Sequence, residues 1–260
     1  MITSRRNPRI QELRSLTASA RNRSEAGLLV VEGTRCIEAA LSYGAEPARL
    51  LIASENREPE AIAGISGTTA ERWSGCEIIE VDREVLAWAA SIRSQTEAVG
   101  IFRLRSHALA DLTGQASKAL ILEDVGDPGN VGSCIRSGAA AGVDCVVLAG
   151  ECADWANPKT VRGSAGAVFA LPVVSAPSVP EALRELDLPG IGTTAKGPLS
   201  LYDAGVRSRF ALVLGSEVHG LSDAALGSCG ELLAIPMARE VESLNVSAAA
   251  AVCLFQLCRP

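Results

Sequence analysis

Ile235-Pro236-Met237 closes an apolar run, a charged loop follows, and Ser243-Leu244-Asn245-Val246-Ser247 leads into Ala248 to Leu257, which is almost wholly apolar. This reads as a strand stopped at a proline, a polar turn presenting a hydroxyl and a carboxamide, and a small-residue helix able to pack closely. Working back from it, apolar runs at Ala119–Val125, Val143–Leu148, Ala167–Val174, Gly190–Thr194, Arg209–Leu214 and Leu232–Pro236 are expected strands with helices between them. A Gly126-Asp127-Pro128-Gly129 turn opens the first helix, Asn130 to Ala141, with Asn130 as its cap and Gly142 ending it. Short apolar strands alternating with helices imply a parallel sheet buried on both faces, an α/β architecture.

The N-terminal part has its own alternating pattern. A basic helix at Pro8–Ala18 precedes a strand at Leu28–Gly33, a helix capped by Thr34 and running to Tyr43-Gly44, and a strand at Ala48–Ala53. A polar stretch through Glu58–Glu71, a strand at Glu77–Val81, a helix from Asp82 to Ala90 and a strand at Thr96–Leu104 complete it. The polar and small residues of Ser106–Lys118 mark a linker. The expected organisation is 1–105, a linker 106–118, and 119–260, in keeping with a length that suits one small and one medium domain.

Hydrophobic residues make up 48% of the chain but aromatics only 3%, so aliphatic side chains must build the cores and a wall of base-stacking rings is not expected. Eight cysteines contain no C-x-x-C pair, and only His107 and His219 could assist a metal, so reduced thiols and no metal are expected. Met1–Arg14 lacks an apolar leader segment, and no run reaches the roughly 18 apolar residues of a membrane span, so a cytoplasmic protein without membrane partners is expected. Net charge is −6, yet residues 1–25 carry six arginines against Glu12 and Glu25. A basic end on an acidic protein is either a solvated helix face or a phosphate-contacting one.

Gly126, Gly129 and Gly132 are spaced in threes, not as G-x-G-x-x-G, which argues against a dinucleotide site and an NAD-dependent oxidoreductase. Three blocks carry a different signal. Asn130-Val131-Gly132-Ser133-Cys134-Ile135-Arg136, Leu214-Gly215-Ser216-Glu217-Val218-His219-Gly220-Leu221 and the Ile235–Ser247 stretch together resemble the signature blocks of the SpoU (TrmH-like) family of SPOUT-class RNA ribose 2′-O-methyltransferases. The N-terminal part, with its Val31-Glu32-Gly33 phrase, is similar to the small ribosomal-protein-like substrate-binding domain that many of these proteins carry. One departure is visible: a glycine is frequent two residues after the methionine of the Ile-Pro-Met phrase, and Arg239 stands there.

The resemblance implies a parallel-sheet C-terminal domain with a deep trefoil knot, a homodimer, and S-adenosyl-L-methionine as cofactor. It implies catalytic roles for Arg136, Asn130, Glu217, Ser243 and Asn245, and cofactor contacts at Thr194, Gly215, Ser216, Gly220, Ile235, Met237 and Leu244. Arg5, Arg6 and Arg9 on the basic end, and Arg162 in the Arg162–Pro172 turn, are the expected RNA contacts. A guanidinium resists deprotonation. Arg136 is therefore expected to grip a phosphate and stabilise the developing alkoxide instead of acting as a plain base. Ribosomal RNA of the 23S type is the expected substrate, with transfer RNA, or a non-catalytic RNA-binding role of the same fold, as alternatives.

Overall fold

The computed structural model describes residues 1–54, 75–92, 97–239 and 241–258. They form two compact units, Met1–Arg105 with Asp154–Ala170, and Ser106–Ala153 with Leu171–Pro260. The expected polar stretch Glu58–Glu71 lies outside the described residues.

The first unit is built on a sheet of β1 (Leu28–Glu32), β2 (Pro47–Ala53), β3 (Glu77–Val81) and β4 (Ala98–Arg103) in the order β1-β4-β2-β3. β4 is antiparallel to both neighbours, and β2 is parallel to β3. The helix Pro8–Ala18 starts where Asn7 accepts the Arg9 N–H and Pro8 takes the first turn. Its Ile10, Leu13 and Leu16, at spacings that share one helix face, are buried against Val30, Leu51, Val81 and Leu86. Thr34 does not cap the next helix; Gly33 at φ +88° holds the cap position and no side chain caps it.

Asp154–Ala170 joins this unit beyond the expected boundary at 105. Arg23, 3% exposed, pairs with Asp154, and Arg162 pairs with the fully buried carboxylate of Glu32, which also accepts from the Ser91 hydroxyl at 2.6 Å. Removing one partner would leave Arg23 or Glu32 as an uncompensated buried charge, so single substitutions at these pairs should destabilise the unit. Ala167–Val174, expected as one strand, is instead a 3₁₀ turn at Ala167–Phe169 and a strand beginning at Val173. Pro172 between them cannot donate to a ladder, and Phe169 turns onto Phe102 with ring centroids 5.9 Å apart.

The second unit holds a wholly parallel sheet of β5 (Lys118–Glu123), β6 (Cys145–Ala149), β7 (Val173–Ala176), β8 (Gly190–Thr193), β9 (Leu199–Ser200), β10 (Phe210–Leu214) and β11 (Glu231–Ala234). Its order is β7-β6-β5-β10-β8-β11-β9. Every residue of β10 is buried, as a central strand covered on both faces requires. The short β9 was not foreseen. Part of the expected linker also belongs here: Leu109–Leu112 forms a 3₁₀ turn, and Leu112 and Ala116 join the core.

The helix Pro128–Ala141 is capped by Asp127, whose Oδ1 accepts the Asn130 N–H at 3.0 Å, so the expected cap at Asn130 is corrected. Pro128 at the first helical position decides this, because the residue before it is held extended. The last helix, Val246–Cys258, packs on Pro128–Ala141, and its Val246, Ala250, Cys253, Leu254 and Leu257 are buried.

Asp144 ties β5 to its entry turn. Burial acts to raise its carboxyl, but hydrogen bonds from the Lys118 and Ser117 N–H groups and the Ser117 hydroxyl, with the Lys118 charge, outweigh that and hold it below the ordinary aspartate range. A depressed native pKa gives stability that is present above the unfolded-state value and lost as pH falls through the folded value. Asp144→Asn is therefore expected to lower Tm at pH 7, with the gap to wild type closing below about pH 4; an equal gap at every pH in thermal denaturation would refute this.

Candidate active site

The carboxyl ends of β8, β10 and β11 surround a cavity of about 470 Å³. In open parallel sheets this end of the strands, where the loops leave, is where ligands bind. Three loops close it: Thr193–Ala195 after β8, Leu214–Leu221 after β10, and the Ile235–Ala249 stretch after β11. All seven expected cofactor positions, Thr194, Gly215, Ser216, Gly220, Ile235, Met237 and Leu244, line it, as do Glu217 and Ser243.

The loop after β10 folds back on itself. Gly220 N–H donates to the Ser216 carbonyl at 2.9 Å, and the two residues form an isolated antiparallel bridge. A Cβ on Gly215 would lie 2.1 Å from the carbonyl carbon and oxygen of Gly220. Glycine is thus required at 215 by the loop's own backbone, which the sequence could not reveal. Gly220, at φ +67°, makes the turn.

A second anchor was missed in the sequence. Glu123, only 8% exposed at the end of β5, accepts the Ser222 N–H and hydroxyl, both at 2.8 Å. Ser222 in turn caps the helix Asp223–Ser228. The far end of the loop is pinned to the centre of the sheet, and a lone acid ending the apolar run Ala119–Leu122 was the available signal.

Three site residues from separate blocks are hydrogen-bonded together. Asn130 Nδ2 donates to Glu217, and Asn245 Nδ2 donates to Asn130 Oδ1 at 3.0 Å. Asn245 Oδ1 accepts the Ser247 N–H at 2.9 Å and the Ser247 hydroxyl at 2.6 Å, which caps the start of the last helix. Because Asp127 has taken the capping duty, the Asn130 carboxamide is free to bridge Glu217 and Asn245. Each amide therefore has a defined orientation before any ligand arrives.

Arg136 does not line the cavity. It is exposed on the helix Pro128–Ala141, and among the described residues it has no hydrogen-bond or ion-pair partner. Exposure spares it the burial cost of an arginine on a mostly apolar helix and leaves a cation with no counter-charge among the described residues.

The cysteines near the site are not nucleophiles. Burial, with a smaller contribution from the Glu217 charge, pushes the Cys134 thiol up to about 12. Burial pushes Cys152 up to about 11. Both stay protonated at neutral pH, and no thiolate is on hand. Among the described residues all eight cysteines are free, and no group of His, Cys, Asp and Glu has metal-binding geometry.

Two expected RNA contacts are engaged elsewhere. Arg162 Nη1 is committed to Glu32 and Ser91. Arg9 pairs with Glu77 at 2.9 Å and with Glu12 at 3.7 Å. Arg239, at the position where a glycine was noted as frequent, adopts φ +63°, a left-handed backbone that costs a non-glycine residue roughly 1–2 kcal/mol.

An open parallel sheet whose strand ends frame a small-molecule cavity, with a polar network at its rim, defines an α/β protein that binds a ligand at the carboxyl edge of the sheet. Residues 117–255 match the SpoU rRNA Methylase family, and residues 7–99 match the MRM3-like substrate binding domain. The chain belongs to the SpoU rRNA methylase family. It is 40% identical over 154 residues to the 23S rRNA (guanosine-2′-O-)-methyltransferase RlmB of Xylella fastidiosa, an alignment spanning 58% of this chain and 62% of that one. It is 29% identical over 259 residues, 98% of both chains, to the 23S rRNA (guanosine(2553)-2′-O)-methyltransferase RlmP of Bacillus subtilis. Among solved structures, the SpoU methyltransferase AviRb of Streptomyces viridochromogenes in complex with AdoMet superposes with a TM-score of 0.83 at 29% identity, covering 97% of this chain and 98% of that one.

Proposed function

We propose that this protein methylates the ribose 2′-hydroxyl of a nucleotide in large-subunit ribosomal RNA, with S-adenosyl-L-methionine as donor. One observation carries the reading: nine positions drawn from widely separated sequence blocks converge on a single cavity. The residues present fit the cofactor. A volume of about 470 Å³ suits a small molecule. Ile235, Leu221 and Leu244 offer apolar surface to a purine, and the carboxylates of Glu217 and Glu242 on the wall suit a cationic sulfonium. When bound, the cofactor supplies an electrophilic methyl group.

The remaining work falls to the protein. Asn130, Asn245 and Glu217 form a preorganised rim that orients the nucleotide, with the Ser243 hydroxyl beside it. Arg136, unpaired and exposed, grips the phosphate next to the target ribose and hydrogen-bonds the sugar oxygen as negative charge grows there. Ribosomal RNA is favoured by the family descriptions matched on both parts of the chain and by the printed activities of the relatives. A cytoplasmic location accords with that substrate. The return of the last helix onto Pro128–Ala141 supports the knotted C-terminal region expected from the resemblance. Its outer face, where Val252 and Phe255 are 38% and 46% exposed, supports homodimer formation.

The test is transfer of labelled methyl from S-adenosyl-L-methionine to purified 23S rRNA and to transfer RNA, with thermal shifts for S-adenosylhomocysteine and NAD. Label in 23S rRNA and a shift with S-adenosylhomocysteine alone are expected. No transfer to either RNA would overturn the enzymatic reading.

A further inference from the structure

The six arginines of residues 1–25 are not equivalent in the fold. Arg9 is neutralised by Glu77 and Glu12, Arg21 pairs with Glu25 at 2.7 Å, and Arg23 is buried against Asp154. Arg5, Arg6 and Arg14 have no carboxylate partner among the described residues. Arg5 and Arg14 lie against one half-buried tryptophan, and Arg6 is the exposed neighbour of Arg5. The Arg14 guanidinium carbon sits 3.9 Å from the Trp88 ring centroid, and that of Arg5 sits 5.5 Å from it. Arg14 Nη1 also donates to the Trp88 carbonyl at 3.0 Å, which fixes the stack. Two adjoining concavities, of about 480 and 610 Å³, share Arg5 and Glu84; one is walled by Arg14 and Trp88, the other by Arg6, Thr3, Ser4 and Asp82, whose carboxylate is engaged in capping the helix Arg83–Ala89.

We propose that Arg5, Arg6, Arg14 and Trp88 form a docking site for one unpaired nucleotide of the RNA. Arg5 and Arg6 hold its backbone phosphates, and its base lies against the Arg14–Trp88 stack. Unpaired bases of RNA are read by stacking on aromatic rings and on guanidinium planes, and here the two are layered, with the Arg14 guanidinium over the Trp88 ring. Duplex RNA would present its phosphates but no free base face, so the stack selects a loop, bulge or strand end. Glu84, on the wall of both concavities, offers an acceptor to an exocyclic amine. Ion pairing within the unit thus concentrates a diffuse basic run into one focus. The inference deepens the proposed function, since it rests on RNA being the substrate.

The experiment titrates the full chain with an unstructured RNA dodecamer and with a blunt RNA duplex of equal length, following tryptophan emission. A saturable quench with the single strand is expected in wild type and its loss in Trp88→Phe. Trp88→Ala is expected to weaken single-strand affinity at least about tenfold. Arg6→Glu, a change on the surface that leaves the stack intact, is expected to do the same and to flatten the salt dependence by about one phosphate contact. Thermal shift with S-adenosylhomocysteine confirms that each variant is folded. Equal binding of strand and duplex, or unchanged affinity in Arg6→Glu, would overturn the docking site, and both can occur with methyl transfer intact. A Trp88-dependent quench without methyl transfer to any RNA would uphold the site and overturn only the enzymatic reading.

Discussion

Arg136→Ala is expected to lower methyl transfer to RNA by at least about 10³-fold while leaving S-adenosylhomocysteine affinity within a few-fold. Removing one preorganised donor from a developing oxyanion costs about 10²–10³ in rate, and the phosphate grip is lost with it. The cofactor should be indifferent, because Arg136 does not line the cavity. Stability should be indifferent too: the side chain is exposed and unpaired among the described residues, and such substitutions fall within about 0.5 kcal/mol. Arg136→Lys retains the charge without the planar fork and should recover only part of the rate. Parallel loss of transfer and of cofactor binding would show that Arg136 supports the fold of the site and does not act on the substrate.

Gly215→Ala should abolish cofactor binding by a different route. The new methyl would sit 2.1 Å from the Gly220 carbonyl, and both contacting atoms are backbone, so no side chain can yield. The loop from Gly215 to Leu221 must open, taking with it the Ser216–Gly220 bridge and one wall of the cavity. We expect at least a ~100-fold loss of S-adenosylhomocysteine affinity, equivalent to about 2.7 kcal/mol. The cost to folding should be the roughly 1–3 kcal/mol of an overpacked site, since β10 and its sheet neighbours are untouched. Gly227→Ala is the control: it lies in the helix Asp223–Ser228 with nothing within 4 Å of the added carbon, and should be neutral or stabilising by up to ~1 kcal/mol. Isothermal titration of both variants decides it, and wild-type affinity in Gly215→Ala would refute the loop's role.

The parts legible in the sequence were those encoded locally. Pro8–Ala18 is bounded by its own signals, Asn7 before a first-turn proline and Ser19 after it. The cavity residues were legible through the resemblance carried by the Leu214–Leu221 and Ile235–Ser247 blocks, with Thr194 lying outside the blocks at the end of an apolar strand. Local ambiguity produced the errors: Asp127-Pro128-Gly129-Asn130 offers two capping residues, and only the proline between them decides for Asp127. Likewise, the apolar run from Ala167 to Val174 satisfies a strand pattern, although Pro172 and the contact of Phe169 with Phe102 divide it. What could not be read was long-range pairing. Glu123 and Ser222 are 99 positions apart, and Glu32 and Arg162 are 130 apart. Nothing in a one-dimensional pattern announces that a candidate RNA-binding arginine is already held by a buried carboxylate. The same blindness hid the focus at Trp88, since a 3% aromatic content weighs against stacking surfaces in general but not against a single ring placed among unpaired arginines.

The position of the transferred methyl group is the most direct test of the chemistry assigned to the cavity and its rim. RNA labelled by the protein with S-adenosyl-L-methionine, digested completely to nucleosides and resolved by mass, should carry all of its label on the ribose of one 2′-O-methylated nucleoside. Label on a base, or spread over many nucleosides, would contradict the proposed roles of Arg136, Asn130, Glu217 and Asn245 at a sugar oxygen.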